Sequence, residues 1–465
     1  MLNGGECDVL VVGGGPAGST IAALLAQKNK HVVVLEKEHF PRFHIGESLL
    51  PLNLPLFDRL GITDDVHRIG VYKPGAELVS DAHNAATTFR FAENPYLSVG
   101  HSYQVRRGEF DKLLLDNSRR LGAEVLEGAR VSDVTLDGDQ GPRVEALNDN
   151  GTATEWSARF LVDATGRDTL LTSKLGLKRI NKQNNTAAVF GHFRNVPRRS
   201  GDKEGMITVY LFEHGWFWMI PLPDEVMSVG VVGTQAFFTE RKANLETLFA
   251  SAVAETPSLA SHMKNAERIG PLTACADYSY DSQSYVGKSH ILVGDAAAFI
   301  DPLFSSGVMM AMSSAAYGAT VVEELLDGRG SRERLVRDYE SKIRHSLNSL
   351  SWLIYRINSP LLRDIFMSSF DLFNTRHELI TILAGAISTK PAPGCRRCGA
   401  CSLPTAPCMS SRNSASASAT PIQHSTAESD FAATSRPRSG YSGGMEVAIV
   451  YARKQKQRGA THAIS

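Results

Sequence analysis

The N-terminal segment alternates apolar runs with a glycine-rich turn and an alanine-rich stretch. An apolar run predicts a strand over residues 8–12, and the turn 13–18 leads into a predicted helix that continues to about Lys28. A second apolar run predicts a strand over residues 31–35, which ends at the acidic residue Glu36. This order of strand, turn, helix and strand predicts the start of an α/β domain.

A second strand and helix follow much later in the chain. Residues 291–293 form an apolar run that leads into Gly294 and Asp295, and a run of small residues predicts a helix over 308–326. A carboxylate just after a strand can bind the hydroxyl groups of a polyol, and the free amides of a first helical turn can bind an anion. The segment therefore predicts a cofactor hydroxyl ligand beside an anion site, although an ordinary strand, turn and helix would show the same pattern.

Three apolar runs between these units predict an antiparallel sheet. The runs cover residues 205–212, 216–220 and 227–232, and short turns separate them. Such a sheet would cover one face of a bound cofactor. Helical patterns continue over residues 331–358 and 361–383, so the C-terminal region is predicted to be mainly helical.

Composition and charge narrow the class of protein. The chain has 465 residues, 43% of them apolar, so it can bury a large core and should form two or three domains. Its 49 basic and 49 acidic side chains balance, which gives no reason to expect nucleic acid as a partner. No apolar run approaches the roughly 20 residues that span a bilayer, and the N-terminus lacks the pattern of a secretory leader. We expect a soluble cytoplasmic protein without a membrane partner.

The N-terminal turn has the spacing of a dinucleotide-binding fingerprint. Gly13 permits the tight turn, Gly15 lets a pyrophosphate approach the backbone, and Gly18 allows the helix to pack closely on the strand. Glu36 lies about 23 residues beyond the first glycine, where a carboxylate can accept hydrogen bonds from ribose hydroxyls. Dinucleotide binding is the prediction, and a glycine-rich turn without a ligand is the alternative.

Three further segments indicate FAD rather than NAD. They are an Arg-x-x-Phe-Asp run that begins at Arg107, an Asp-Ala-x-Gly run that begins at Asp163, and the pair Gly294 and Asp295. Together they resemble the signatures of the flavoprotein monooxygenase superfamily, which has the p-hydroxybenzoate hydroxylase type of fold, and the resemblance spans residues 8 to about 330. It implies that Arg107 lies against the FAD phosphates or the flavin and that Asp295 holds the ribityl or pyrophosphate region. A surface helix cap is the alternative role for Arg107.

Three other segments resemble flavin-dependent halogenases. Residues 215–221 match a Trp-x-Trp-x-Ile-Pro motif, residues 40–48 match a loop with Gly-Glu-Ser, and residues 301–307 match a third characteristic segment. The resemblance is to the branch that acts on phenols or on pyrroles held by carrier proteins. The fingerprint and these resemblances together predict the following cofactor-binding residues: Gly13, Gly15, Ala17, Gly18, Glu36, Lys37, Glu47, Ser48, Arg107, Asp163, Gly294 and Asp295.

The halogenase motifs also suggest separate roles for the two tryptophans and for residues 305–307. The indoles of Trp216 and Trp218 would fill the space above the flavin and exclude an aromatic substrate, although plain sheet packing would also explain two tryptophans. A small anion could still enter, and the segment Ser305, Ser306 and Gly307 would bind chloride or bromide through its amides. The resemblance implies that this halide attacks a flavin hydroperoxide to form hypohalous acid.

Lys73 occupies the position of the essential lysine of the halogenases. The residues Lys-Pro-Gly-Ala that begin there match the family, and an ammonium can polarise hypohalous acid, whereas an amine of lowered pKa can form a haloamine. Without that match, a solvated surface lysine would be expected. Tryptophan halogenases carry glutamate where this chain has Phe304, so we expect a phenol or pyrrole substrate rather than free tryptophan.

The expected partners are a flavin reductase and an aromatic substrate, either free or bound to a carrier protein. The absence of a second dinucleotide fingerprint fits an enzyme that receives reduced FAD from a separate reductase, although the related monooxygenases bind NADPH without such a motif. Two alternatives stay open. One is an aromatic hydroxylase of the same fold, which would oxidise NADPH itself. The other is a catalytically silent flavin-binding protein.

We predict four regions. An FAD-binding domain comprises residues 1–180 and 270–330 with a substrate-side insert at about 70–105, an antiparallel sheet domain comprises 181–269, and a helical region comprises 331–388. Residues 389–465 are rich in Ser, Ala, Pro, Arg and Thr, which predicts disorder and suggests a truncated or frame-shifted end. This tail contains Cys395, Cys398, Cys401 and Cys408, but no strand pattern or histidine supports a metal site, and we predict none.

Overall fold

The computed structural model describes residues 4–95, 97–136, 141–240, 244–300, 302–356, 359–367, 380–382 and 384. All of them belong to one contact unit, Met1–Asp371 with Leu379–Ser388. The predictions for the tail, including its four cysteines, and for Asp301 lie outside the described residues. None of the described helices is both long enough and apolar enough to cross a membrane. Within the same ranges, no group of three or more His, Cys, Asp or Glu side chains is arranged to hold a metal ion.

Strands and helices are interspersed along the chain. The strands are β1 (Gly5–Val12), β2 (Val32–Glu36), β3 (Val71–Lys73), β4 (Gly75–Ser80), β5 (Ala85–Arg90), β6 (Ser102–Gln104), β7 (Glu124–Glu127), β8 (Ala129–Thr135), β9 (Arg143–Asn148), β10 (Ala153–Asp163), β11 (Lys178–Arg194), β12 (Ile207–Phe212), β13 (Gly215–Leu222), β14 (Val226–Thr234), β15 (Glu267–Ser282), β16 (His290–Leu292) and β17 (Ala298–Phe299). The helices are α1 (Pro16–Ala26), α2 (Leu54–Leu60), α3 (Thr63–Ile69), α4 (Arg107–Arg120), α5 (Leu170–Lys174), α6 (Gln235–Glu240), α7 (Leu245–Ala254), α8 (Pro257–His262), α9 (Ser306–Leu326), α10 (Arg332–Ile354) and α11 (Pro360–Phe366).

The first sheet has the order β7-β2-β1-β10-β9-β8, and β16 also pairs with β10. Its strands β7, β2, β1, β10 and β16 run parallel, and the valine-rich β2 is buried along its whole length. Apolar residues in consecutive positions are typical of parallel strands that are covered on both faces. The carboxyl ends of these strands meet at one edge, where α/β sheets bind their ligands.

The glycine turn after β1 adopts the geometry that the fingerprint predicts. Gly13 has φ +103°, and a Cβ atom at Gly13 would lie 2.4 Å from the carbonyl oxygen of Ala164. A Cβ atom at Gly18 would lie 1.8 Å from the carbonyl oxygen of Gly13. Any larger residue would therefore separate α1 from the turn. Helix α1 begins at Pro16, which is well suited to a first helical position.

The long helix α9 packs beside α1 because its inner face carries small residues. A Cβ atom at Gly318 would lie 3.2 Å from Val293 and 3.3 Å from both Ile21 and Ile291, so glycine allows a close approach to the sheet and to α1. The predicted helices at 308–326 and 331–358 are confirmed as α9 and α10. The predicted helix at 361–383 is confirmed over α11, but a turn at Met367 ends that helix. Residues 380–382 are also helical, and residues 368–379 and 383 lie outside the described residues.

The second sheet has the order β17-β15-β11-β14-β13-β12-β4-β5. The predicted antiparallel sheet is confirmed as β12, β13 and β14, but the structure adds β4, β5, β11, β15 and β17 to it. The predicted domain boundary between residues 269 and 270 falls inside β15. Side chains of β13 alternate between two apolar clusters, with Trp216 and Trp218 in one and Phe217 and Met219 in the other. Burial of both faces explains the uninterrupted apolar run.

Candidate functional site

A cavity of about 510 Å³ lies at the carboxyl ends of β1, β2 and β10, and the second sheet contributes its opposite wall. The predicted site residues that line it are Gly13, Gly15, Ala17, Glu36, Lys37, Glu47, Ser48, Arg107, Asp295, Trp216, Trp218, Ser305 and Gly307. Residues that are far apart in sequence therefore form one continuous surface. We call this space the flavin cavity, after the cofactor predicted from its sequence motifs.

Glu36 closes the end of the flavin cavity beside the glycine turn. Its Oε2 accepts a hydrogen bond from the amide of Gly14 at 2.6 Å, and its Oε1 accepts one from the amide of Glu38 at 2.9 Å. These bonds fix the buried carboxylate, and each of its oxygens has a further lone pair for a ribose hydroxyl. The neighbouring Lys37 forms a partly exposed ion pair with Asp168.

Two arginines share one buried carboxylate at the wall of this cavity. Arg107 begins α4, and its Nε and Nη2 donate to the two oxygens of Asp111 at 2.8 and 2.9 Å. Arg42 Nη1 donates to the same carboxylate at 3.1 Å. Asp111 is fully buried and Arg107 is only 6% exposed, so Arg107 is not a surface helix cap. The Nη2 atom of Arg42 lies near Gly15, 3.6 Å from the position of a Cβ atom there.

Sequence reasoning assigned no role to Arg42 or Asp111. Both were visible in motifs, because Asp111 closes the Arg-x-x-Phe-Asp run and Arg42 lies in the loop 40–48. The spacing of four residues between Arg107 and Asp111 on a helix was a usable signal. Nothing local pointed to Arg42, which is 69 residues from its partner.

Asp163, which belongs to the predicted cofactor-binding set, does not line the flavin cavity. Its carboxylate is fully buried, where Oδ1 accepts from the amide and the hydroxyl of Thr165 and Oδ2 accepts from the amide of Leu171. These bonds shape the loop after β10, and the following residues Ala164 and Thr165 line the cavity instead. Burial raises the pKa of Asp163, whereas the Thr165 and Leu171 hydrogen bonds lower it. In this structure the Asp163 carboxylate therefore supports the loop that lines the cavity.

Gly18 and Gly294 also do not line the cavity but shape its wall. Gly294 has φ +60°, its amide donates to the hydroxyl of Ser314 at 2.8 Å, and a Cβ atom there would lie 3.0 Å from that of Ala17. This conformation directs the chain from β16 towards Asp295, which lines the cavity. Glycine is needed at both positions for close packing, and Asp295 provides the side chain.

Trp216 and Trp218 form part of the wall on the second sheet. Both are buried, their ring centroids are 6.0 Å apart, and the ring of Phe190 lies 5.7 Å from that of Trp218. Trp218 Nε1 donates to the hydroxyl of Ser228 at 3.1 Å, which orients the indole. A Cβ atom at Gly230 would lie 2.2 Å from Trp218, so glycine in β14 provides the space that this indole needs.

The start of α9 contributes an end wall with unpaired polar groups. Ser305 precedes the helix with φ 58°, and it lines the cavity together with Gly307. Ser306 is buried, and its hydroxyl has no hydrogen-bond partner among the described residues. The first amides of this 21-residue helix also lack intrahelical acceptors, so the segment can bind a small anion.

Lys73 lies at the end of β3, in the interior of the protein. Only 1% of it is exposed, and its Nζ donates to Ser48 Oγ at 2.7 Å and to the carbonyl oxygen of Leu49 at 2.8 Å. The Nζ atom also lies 5.5 Å from the centroid of the Phe91 ring. Burial lowers the pKa of Lys73 to about 7. The side chain is therefore present as both ammonium and amine near neutral pH.

Lys73 lines a second cavity of about 30 Å³, next to Phe304. Ile207, Leu303 and Ser305 line both this cavity and the flavin cavity, so these residues separate the two spaces. The two cavities meet at the segment that precedes α9. The structure thus brings Lys73 close to the predicted halide-binding segment but on the other side of a side-chain wall.

The buried lysine gives a prediction for stability. Between about pH 7 and pH 10.5 the unfolded chain binds a proton at Lys73 that the folded protein does not, so folding becomes more favourable as pH rises. In the FAD-free protein, Lys73→Met should increase the free energy of unfolding, and this gain should be about 2–3 kcal/mol larger at pH 6 than at pH 9. Denaturant titrations at both pH values measure the difference.

Lys112→Met is the control for this measurement, because Lys112 is exposed on α4. It should change the unfolding free energy by a few tenths of a kcal/mol at either pH. A gain for Lys73→Met that is equal at pH 6 and pH 9 would contradict the lowered pKa of Lys73.

Comparison with known proteins identifies the family. The family described as tryptophan halogenase matches residues 8–69 and 69–358. The chain belongs to this family. It is 32% identical over 381 residues to the 1H-pyrrole-2-carbonyl-(peptidyl-carrier protein) chlorinase of Pseudomonas fluorescens. The aligned stretch covers 76% of this chain and 84% of that relative. It is also 36% identical over 325 residues to the tryptophan 2-halogenase of Chondromyces crocatus, and this aligned stretch covers 69% of this chain and 62% of that relative.

A solved structure agrees with this assignment to the tryptophan halogenase family. A triple mutant of a flavin-dependent brominase superposes with a TM-score of 0.75 at 28% identity, covering 82% of this chain and 95% of that one. The predicted flavin-dependent halogenase, an oxidoreductase enzyme with a Rossmann-like FAD-binding fold, is therefore confirmed at the level of the family. Flavin-dependent halogenases use FAD, and the glycine turn, Glu36 and the two arginines form a cradle that fits this dinucleotide.

Proposed function

We propose that this protein uses FADH2 and O2 to chlorinate or brominate a phenol or a pyrrole. The observation that carries the proposal is that Lys73 is separated from the flavin cavity. A hydroxylase needs its substrate ring in contact with the flavin. In this chain, Trp216 and Trp218 occupy the wall of the flavin cavity, and Lys73 lines a second space beyond it. This arrangement suits an oxidised halide that travels from one space to the other.

The residues around the flavin cavity have distinct roles in this proposal. Bound FADH2 would reduce O2 and so supply the two-electron oxidant that converts a halide into hypohalous acid, with FAD and water as the other products. The glycine turn and Glu36 would hold the adenosine half, and Arg107 with Arg42 would face the phosphates. The indoles of Trp216 and Trp218 would exclude the substrate ring and bulk water, so that the oxidant reacts with the halide.

Ser305, Ser306 and Gly307 would hold chloride or bromide in this mechanism. The buried and unpaired hydroxyl of Ser306 supports this role, because such a group costs free energy unless a ligand satisfies it. The positive end of the α9 dipole adds to the attraction for an anion. The space beside Gly307 is open, since a Cβ atom there would meet no atom of the described residues within 4 Å.

Lys73 would direct the hypohalous acid at the substrate. As an ammonium it would donate a hydrogen bond to the oxygen of hypohalous acid and make the halogen more electrophilic. As an amine it would take the halogen from hypohalous acid to form a haloamine, while the oxygen–halogen bond breaks and the oxygen leaves as water with a proton from the amine. Its pKa of about 7 makes both forms accessible at neutral pH. When the halogen transfers to the ring, the ring proton leaves with the hydroxide of hypohalous acid as water, or returns to the amine nitrogen when the donor is a haloamine.

The surroundings of Lys73 favour an electron-rich ring without an amino-acid backbone. The lining of its cavity is otherwise mainly apolar and contains Phe304. Among the described residues that line it, none is acidic, so none of them could pair with the ammonium of free tryptophan. The similarity to a pyrrole chlorinase that acts on a carrier-bound substrate supports a pyrrole or phenol, whereas the similarity to a tryptophan 2-halogenase supports tryptophan. On the basis of Phe304 we favour the former, either free or held by a carrier protein, with a separate flavin reductase supplying FADH2.

Product analysis tests this function directly. Purified protein is incubated with FAD, a flavin reductase, NADH, chloride or bromide, and a panel of phenols, carrier-bound pyrroles and free tryptophan. Mass spectrometry should find chlorine or bromine isotope patterns in a phenol or pyrrole product.

Other outcomes would change the conclusion. Halogenated tryptophan would overturn the substrate class but keep the halogenase. Addition of sixteen mass units, with direct oxidation of NADPH, would indicate the hydroxylase alternative. Peroxide alone with every substrate would indicate a silent flavin-binding protein.

A further inference from the structure

Ser48 connects Lys73 with the flavin cavity. The hydroxyl oxygen of Ser48 accepts a hydrogen bond from Lys73 Nζ at 2.7 Å, and Ser48 itself lines the flavin cavity. Lys73 lines the smaller cavity. One buried hydroxyl therefore bridges the lysine and the space of the cofactor, on a path different from the shared wall at Ser305.

The backbone holds Ser48 and Lys73 in place independently of this hydrogen bond. Strands β3 and β6 pair so that Lys73 lies opposite Ser102, and Ser48 forms an antiparallel bridge with Gln104 of β6. Two further backbone hydrogen bonds, at 2.9 and 2.8 Å, join the segment around Ser48 to the residues around β6. Removing the Ser48 hydroxyl should therefore change the contacts of Nζ and leave the path of the chain unchanged.

The hydroxyl of Ser48 can form its hydrogen bonds in two orientations, depending on the charge of Lys73. An ammonium has three N–H donors, of which Ser48 Oγ and the Leu49 carbonyl accept two, so that one remains for the occupant of the small cavity. In this state the Ser48 O–H proton is available to the flavin cavity. When Lys73 is a neutral amine, the same O–H can instead donate to the Nζ lone pair. The direction of the Ser48 hydroxyl thus depends on the charge of Lys73.

The elements packed around Lys73 carry few charged groups, and these are engaged elsewhere. Its apolar neighbours include Ala76, Leu78 and the ring of Phe91. The opposite residue Ser102 has a buried hydroxyl without a hydrogen-bond partner in the described part of the chain. The nearby carboxylates are paired as Glu47 with His192, Glu77 with Arg199 and Lys203, and Glu93 with Arg90.

We propose that Ser48 is a positioning residue for the halogenation reaction. It holds Lys73 Nζ towards the small cavity, and its hydroxyl reorients when Lys73 gains or loses a proton, so that the hydrogen bonding offered to the flavin cavity depends on the charge of Lys73. The inference rests on the proposed function of Lys73. Without the hydroxyl, the Leu49 carbonyl alone would anchor Nζ, so the four-carbon side chain would regain rotameric freedom and hypohalous acid would escape before halogen transfer.

The first test measures Lys73 itself and needs no turnover. In FAD-free protein labelled with 15N-lysine, the Nζ resonance of Lys73 is assigned by its loss in Lys73→Met and then titrated with pH. Ser48→Ala should lower the titration midpoint by about one pH unit, because an oxygen acceptor stabilises the ammonium. Ser48→Thr keeps the hydroxyl and should restore the midpoint. Ser102→Ala is the matched control and should leave it unchanged, since that hydroxyl does not bind Nζ.

The second test measures, in the enzyme with FAD bound, how much of the FADH2 consumption leads to halogenated product. The ratio of halogenated product to FADH2 consumed should fall about tenfold in Ser48→Ala, and hypohalous acid trapped by an added diketone should rise. Ser48→Thr should recover most of the coupling, and Ser102→Ala should match wild type. The dissociation constant of FAD, measured by fluorescence for each variant, shows whether cofactor binding accounts for the change.

The outcomes separate this inference from the proposed function. An unchanged Lys73 midpoint and unchanged coupling in Ser48→Ala would overturn the inference while leaving the halogenase intact. A coupling loss that matches the loss of FAD affinity would also overturn it, because Ser48 would then be a plain cofactor ligand. A shifted midpoint in a protein that halogenates nothing would support the positioning contact and reject the proposed function.

Discussion

Replacement of Lys73 by alanine should reduce halogenated product by about 100-fold or more, while FADH2 is still consumed and oxidant still forms. The variant lacks the group that would hold hypohalous acid, and the flavin cavity is separated from Lys73 by other side chains. The FAD dissociation constant should stay near the wild-type value, because Lys73 does not line the flavin cavity. Product mass spectrometry and FADH2 consumption, measured in the same reaction, test both parts.

Two controls sharpen this experiment. Lys112→Ala removes an exposed lysine of α4 and should leave product formation unchanged. Lys73→Arg keeps a positive charge but replaces the small ammonium by a planar guanidinium that remains charged, so it should not restore activity. Substantial halogenation by Lys73→Ala would contradict the role proposed for Lys73.

Replacement of Asp111 by asparagine should destabilise the protein by about 3–5 kcal/mol and weaken FAD binding at least about tenfold. Asp111 is fully buried and accepts hydrogen bonds from both Arg107 and Arg42. The substitution removes the carboxylate that pairs with the buried Arg107, whereas Arg42 keeps its ion pair with Glu38. Both arginines line the flavin cavity and would lose their fixed orientation. Denaturant titration of the FAD-free protein and FAD fluorescence titration measure the two effects.

Asp116→Asn is the matched control on the same helix. Asp116 forms exposed ion pairs with Lys112 and Arg119, and such pairs contribute little. Its loss should change the unfolding free energy by no more than about 0.5 kcal/mol and leave FAD binding intact. Equal effects at Asp111 and Asp116 would show that the buried pair does not stabilise the cavity wall.

Local features of the chain were predictable to the extent that one segment contains all of their physical causes. The turn from Gly13 to Gly18 was predicted correctly, because the steric demands of a tight turn fall on residues that are close in sequence. The extent of α9 was predicted for the same reason, since its small residues and the preceding Ser305 lie together. The three halogenase motifs led to the family that the comparisons confirm.

Contacts between distant segments were not predictable in this way. Nothing in the neighbourhood of Arg42 reveals that it shares the carboxylate of Asp111, and Ser48 gives no local sign that it bonds to Lys73. Asp163 shows the opposite case, because its motif suggested a ligand while its burial directs it to the following loop. Such contacts depend on which strands become neighbours.

By itself, the sequence determined the secondary-structure elements around the flavin cavity, the geometry of the glycine turn, and the family of the protein, because backbone sterics and hydrophobic periodicity act over short stretches of chain. Only the tertiary structure decided which polar groups meet, how deeply each is buried, and therefore what each can do. Lys73 is the clearest example. Its residue type allows an ordinary surface ammonium, and its burial at the end of β3, in a cavity that Phe304 also lines, lowers its pKa to about 7. Desolvation depends on every element packed around a group, so local sequence does not contain it.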